Sequence, residues 1–416
     1  MSTYRSHFLA ALAVFALAGA TGAFLRFGII YGMAGLEYAN VRHAHSHLMS
    51  FGWVTPALMA LIGVHLPRLT GRPLSPWHGR VIALTIALGL LAYVPFLLFG
   101  YRSAAVGGTE LPLAVMAAAL NVLAWYAFAW LYRRETRGAP PTRPLALWNA
   151  AVAFLLLATA GVIGLPLMVA FNVQDPLWSM IFTHIFLDLF SEGWLVLGGL
   201  GLAYVALPAA TRHPWARRSG DLLIAGLPVV FLLYLPTHLV PPVARWVGSV
   251  GGLLVALGTL GNVAALLAAA RPETAARAGR PGLPVGAWVA PLAFLGLKAL
   301  TQLGLLLPAV ARWAEISRMR VPYLHWLLLG FMTLGLLAAA EQVWGIAGRR
   351  WMTAAVVALA LSLMPLTGLW PPSLGGMWAV RVAAWAALGP VVVALSVLAS
   401  QLFKRNDPQI GRIQHE

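Results

Sequence analysis

From Leu253 to Ala270 the chain carries no charged side chain, and apolar runs of this kind recur from one end of the sequence to the other. Such runs constrain the fold more than any other feature. In hydrocarbon every backbone N–H and C=O must find a partner within the protein, which leaves only helices and closed barrels. The runs are continuous, whereas barrel strands alternate apolar and polar residues, so they read as helices. Only 10% of the 416 residues are charged, against roughly a quarter in soluble domains. No window is polar enough to form a separate soluble domain.

Apolar runs bounded by Gly, Pro and Arg predict an all-α polytopic membrane protein: one domain, 1–416, with twelve transmembrane helices. The spans fall near 7–30, 44–66, 80–100, 111–132, 146–171, 176–208, 221–238, 244–270, 285–310, 321–346, 350–369 and 378–402. The first resembles a signal peptide, with Arg5 before it and Ala18, Gly19 and Ala20 as a cleavage-like site. It continues to Ile30, longer than a usual signal core, and reads as a span.

A formal charge of +16 from 28 Lys and Arg would suit a nucleic-acid binder, but the cations sit in short loops. Groups such as Arg133, Arg134, Arg137 and Arg143, Arg271, Arg277 and Arg280, and Lys404, Arg405 and Arg412 crowd the termini and even-numbered loops. By the positive-inside rule both termini are cytoplasmic, in a bacterial-type inner membrane. The charge is topology, and no nucleic-acid partner is expected.

The sequence has no Cys. That excludes disulfides, iron–sulfur clusters, dicopper centres and Cys-attached haem, leaving His, carboxylate and oxygen as metal ligands. Of the eleven His, the topology puts His7, His65, His78, His213 and His415 on the cytoplasmic side. His43, His45 and His47, His184, His238, and His325 fall at the outer ends of four different spans. A polar ring at membrane depth is costly unless paired or ligating, so these carry a functional expectation.

Span 6 contains His184-Ile-Phe-Leu-Asp188-Leu-Phe-Ser-Glu192, in which positions i, i+4 and i+8 would share one helical face. His184 and Asp188 suit a divalent iron, copper or zinc, with Glu192 as a neighbouring or proton-relay group. Alternatively, the acids pair with Lys298, which stands one turn from Gln302 in span 9. Gly198-Gly199-Leu200-Gly201 lies within span 6 with no strand before it, and reads as close helix packing rather than a nucleotide loop.

In span count, orientation and His placement, nearly the whole chain resembles the catalytic subunit of the haem-copper oxidase superfamily, within it the nitric oxide reductase large subunit. His45-Ser-His-Leu-Met49, with Pro56 beyond, resembles the segment that supplies one axial ligand of a low-spin haem. His184-x3-Asp188-x3-Glu192 resembles a His-x3-Glu-x3-Glu stripe that binds non-haem iron. Pro236-Thr237-His238 and Tyr323-Leu324-His325 resemble a His-His pair and a His-x-His, with Thr237 and Tyr323 replacing one His in each.

The resemblance implies one or two haem b groups, His45 and His325 being the low-spin pair, Arg42 (with Arg245 or Arg320) meeting propionates, and a non-haem iron or copper on His184, Asp188 and His238. A Tyr323 phenolate would replace the proximal imidazole, or else the high-spin haem is lost. Span 2 leaves its own alternative: if the helix starts early, His43 and His47 share a face and His45 points elsewhere.

The functional expectation is a membrane oxidoreductase reducing nitric oxide, or oxygen. Electrons would come from a cytochrome c-type subunit, soluble cytochrome c or quinol, and Asp188, Glu192 and Tyr323 would act at the reaction centre. The alternatives are a non-catalytic haem protein for electron transfer, gas sensing or assembly, and a transporter.

Overall fold

A computed structural model describes residues 2–236, 238–270 and 285–405. Thr237, Arg271, Arg277, Arg280, Arg412 and His415 lie outside the described residues. The chain is an all-α polytopic membrane protein: among the described residues, 11 helices are long and apolar enough to cross a bilayer.

Helix α1 (Ser2–Tyr31) passes unbroken through the cleavage-like Ala18–Ala20. The second span is composite: α2 (Tyr38–His47), a π-helical segment Leu48–Val54, then α3 (Thr55–Thr70). Next come α4 (Trp77–Phe99), β1 (Ala104–Val106), β2 (Thr109–Leu111), α5 (Leu113–Thr136) and α6 (Arg143–Ala170). The span after these is again composite, with α7 (Pro176–Asp188), π-helical Leu189–Val196 and α8 (Leu197–Ala206). It is followed by α9 (Trp215–Val230), α10 (Pro242–Ala269), α11 (Val289–Gly304) and α12 (Pro308–Ile316). A third composite joins α13 (Arg320–His325), π-helical Trp326–Thr333 and α14 (Leu334–Trp344), before α15 (Arg349–Leu363) and α16 (Met377–Arg405).

The difference from the expected twelve lies at 221–238. There α9 is 16 residues long and tightens into a 3₁₀ turn at Phe231–Leu233. Pro228 supplies no N–H to the helix, and Pro236 follows shortly after, so the regular helix in this apolar run is short.

The chain divides into two compact units. The first comprises residues 1–64, 76–124 and 336–416. Here α1 packs along α16 and against the π-helical segment Leu48–Val54. Fully buried Trp53 meets Phe8 at 5.6 Å and Phe15 at 5.3 Å between ring centroids, and Phe8 reaches Trp344 at 5.3 Å. Aromatic pairs at these separations add about 0.5–1.5 kcal/mol each beyond their buried area. The short hairpin β1–β2 turns at Gly107 and Gly108, both with positive φ, which a two-residue turn of this hand requires.

The second unit comprises residues 65–75 and 125–335. Helices α9 and α10 lie closely together through glycines: a Cβ on Gly226 would strike the Gly251 carbonyl, and one on Gly258 the Ser219 carbonyl and Leu223 backbone. The glycines of Gly198–Gly201 do serve packing. Trp148 donates Nε1–H to the Gly198 carbonyl at 3.0 Å, and a Cβ on Gly201 would overlap its indole. Helix α11 packs on α10 and on the π-helical segment Trp326–Thr333.

Candidate functional site

The second unit gathers a line of polar groups that the apolar runs around them do not explain. Helix α7 begins at Asp175, whose carboxylate accepts from the Leu177 N–H at 2.8 Å, with Pro176 in the first turn. Three turns on, His184 Nδ1 and Asp188 Oδ2 stand 3.2 Å apart, the i, i+4 pair expected from the sequence. The helix then widens. Glu192 falls inside the π-helical Leu189–Val196 and is buried.

There Glu192 Oε1 forms an ion pair with Lys298 Nζ from α11; the two side chains are 2% and 0% exposed. This is the contact anticipated from the mid-span Lys298–Gln302 pair. Lys298 also donates to Gln302 Oε1 at 3.0 Å, and its ammonium lies 5.6 Å from the Tyr323 ring centroid. The Tyr323 hydroxyl donates to Glu192 Oε1 at 3.2 Å and lies 3.3 Å from the Tyr234 hydroxyl. Tyr234 stacks on His184, with centroids 6.3 Å apart and planes 13° apart. Tyr234 had no part in the sequence reading. Its one signal is a phenol four residues before His238.

A cavity of about 350 Å³ opens on this line, walled by Thr183, His184, Tyr234, His238, Glu315 and Arg320. Cavity, stacked His184, two phenols, buried acid and buried lysine thus follow one another within a single unit.

Of the three expected metal ligands, His184 and Asp188 are adjacent, while exposed His238 shares only the cavity wall with His184. Among the described residues no group of three or more His, Asp or Glu is placed to hold a metal ion. The residues present do not fit the three-ligand metal centre. The physical reason is that His184 Nδ1 is directed at Asp188 and the Glu192 carboxylate at Lys298, so each acid already has a partner.

The early start of α2 realises the alternative left open for span 2, in which His45 points away from the face that His43 and His47 share. In the first unit, α2 starts at Tyr38, well before His43. His43 and His47 therefore share a face: His43 meets the Tyr101 ring edge-on at 4.7 Å, and His47 stacks on Phe96 at 3.8 Å. His45 points instead to α1, its Nδ1 2.8 Å from the Ala18 carbonyl. Gly22 makes the room, since a Cβ there would stand 2.8 Å from His45 Cε1. In the second unit, His325 Nδ1 lies 2.7 Å from the Val321 carbonyl. In the neutral ring, an Nδ1–H donated to a carbonyl fixes the tautomer with its proton on Nδ1. Arg42 is exposed.

All three composite spans follow one pattern. The π-helical segment begins directly after or within a few residues of an expected ligand: after His45 and His47, after His184 and Asp188, and after His325. Wide turns of this kind recur at functional sites because they re-aim side chains within a helix. No family model matches this chain, and no curated protein is similar to it.

Proposed function

We propose that this protein is a haem-binding membrane oxidoreductase on the scaffold of the haem-copper oxidase catalytic subunit, reducing nitric oxide or, as the other diatomic substrate, oxygen. The observation that supports it most is the coincidence of three histidine-bearing spans, each widened into a π-helix beside the histidine. His45 and His325 are proposed as haem b ligands from the resemblance; each anchors its Nδ1 on a backbone carbonyl, as His47 also does. Haem, when bound, stores electrons delivered by a cytochrome c-type partner or by quinol.

Joining two nitric oxide molecules into nitrous oxide and water consumes two electrons and two protons. The proposed proton route is the line from the cavity through Tyr234 and Tyr323 to Glu192, hydroxyl to hydroxyl to carboxylate. Tyr323 serves in this line, where its hydroxyl already has two partners, and Asp188 orients His184. The orientation proposed with this reading counts the short α9 segment as a twelfth crossing, and places both termini in the cytoplasm and the cavity on the outer side of a bacterial-type inner membrane.

A second reading, a non-catalytic haem protein for electron transfer, gas sensing or assembly, is favoured by one observation: His184, Asp188 and His238 form no three-ligand group. Porphyrin and metal content per purified polypeptide separate the two. Two porphyrins support the enzyme, and one porphyrin the non-catalytic protein; none refutes both. His325→Ala should abolish the six-coordinate haem spectrum, whereas Asp188→Ala should leave that spectrum and remove gas turnover.

A further inference from the structure

The inner end of the polar line does not close on itself. Glu192, Lys298 and Gln302 are 2%, 0% and 0% exposed. Glu192 Oε2 and Gln302 Nε2 have no hydrogen-bond partner among the described residues. A buried polar atom left unmatched costs about 1–3 kcal/mol, and most such atoms in folded proteins are satisfied by protein or ordered water.

Exchanging the Gln302 amide ends does not remove the deficit. An ammonium only donates, so the amide oxygen must face Lys298, as it does at 3.0 Å. The NH₂ is then forced to the far side. Glu192 is in the same position: Oε1 serves both Lys298 and Tyr323, and Oε2 is left over. One unmatched acceptor and one unmatched donor therefore flank the same ammonium, each belonging to a group that already touches it. A molecule that both donates and accepts, and is small enough for a closed interior, satisfies both at once.

We propose that a single buried water bridges Glu192 Oε2 and Gln302 Nε2, donating to the carboxylate and accepting from the amide. It extends the line of hydrogen bonds from the cavity, through Tyr234, Tyr323 and Glu192, to α11. Its use as part of a proton route rests on the function proposed above; the water itself does not.

The test is a density map of the full-length protein in lipid nanodiscs, at a resolution where ordered waters are visible. The expected result is a peak within hydrogen-bonding distance of both atoms. That peak should be lost in Gln302→Met, with the Glu192–Lys298 contact retained. If the Met variant does not fold, Gln302→Asn withdraws the amide by one methylene and should displace the peak toward α11. An empty site in the unaltered protein, a direct bond between Oε2 and Nε2, or a peak indifferent to either substitution overturns the proposal. The same map separates this outcome from that of the function: water without porphyrin refutes the haem reading alone, and porphyrin without water refutes the bridge alone.

Discussion

Replacing Lys298 by Met keeps much of the apolar stem of the side chain and deletes its charge, which leaves the Glu192 carboxylate buried with the Tyr323 hydroxyl as its side-chain donor. Both partners of the pair are essentially inaccessible, so solvent screening does not soften the loss. Removing one member of such a pair costs about 3–5 kcal/mol. The Gln302 carbonyl loses its donor in the same step, adding to the cost. Replacing both members with apolar residues of similar volume is often neutral or stabilising, so Lys298→Met with Glu192→Leu should recover most of the deficit.

The assay is detergent-induced unfolding in mixed micelles, followed by tryptophan fluorescence, on both single variants and the double. The cycle should give a coupling of several kcal/mol, well above the roughly 0.5 kcal/mol at which independent sites add. A double variant as unstable as Lys298→Met, or a single variant that unfolds like the unaltered protein, would show that the pair is not the buried contact described.

Two further perturbations test other parts of the structure. Gly22→Ala drives a methyl against His45, whose Cε1 lies 2.8 Å from that position; the overpacking should cost about 1–3 kcal/mol and lower the haem retained per folded polypeptide, and unchanged haem absorbance would separate His45 from the cofactor. Because the chain has no Cys, Glu110→Cys on the exposed hairpin is a clean reporter: a membrane-impermeant maleimide should label it from the outer side, and labelling only after the cytoplasmic face is opened would invert the proposed orientation.

The bilayer-scale plan of the molecule is legible in its sequence because span length and apolar continuity are local properties. Leu253–Ala270 needs no tertiary contact to declare itself, and it lies almost wholly within α10. The run at 221–238 was harder: its apolar content is real, but backbone geometry around Pro228 and Pro236, not hydropathy, decides where the helix stops. The Glu192–Lys298 contact was foreseeable, since a mid-span lysine needs an acid and few are available at that depth.

The way Glu192 reaches that lysine was not foreseeable. Equal spacing of His184, Asp188 and Glu192 predicts one stripe of a regular helix, whereas the third residue lies in the widened turn at Leu189–Val196. Nothing in Leu-Phe-Ser-Glu-Gly-Trp-Leu-Val marks a π-helix; neighbouring chain segments impose it. Tyr234 was missed for a related reason: an aromatic in an apolar run is ordinarily packing, and its hydroxyl acquires meaning only beside Tyr323.

The widened turns also set how these three spans respond to a change in chain length. Each residue of an α-helix advances the side-chain direction by about 100°, and a π-helical segment accommodates residues that a regular helix of the same rise would not. Deleting one residue within Leu189–Val196 would let the span relax toward an ordinary helix with its two ends close to their present directions, because the wide turn already holds the surplus residue. A gap of one position there is absorbed, whereas the same gap in regular α10 would turn everything beyond it by about 100°.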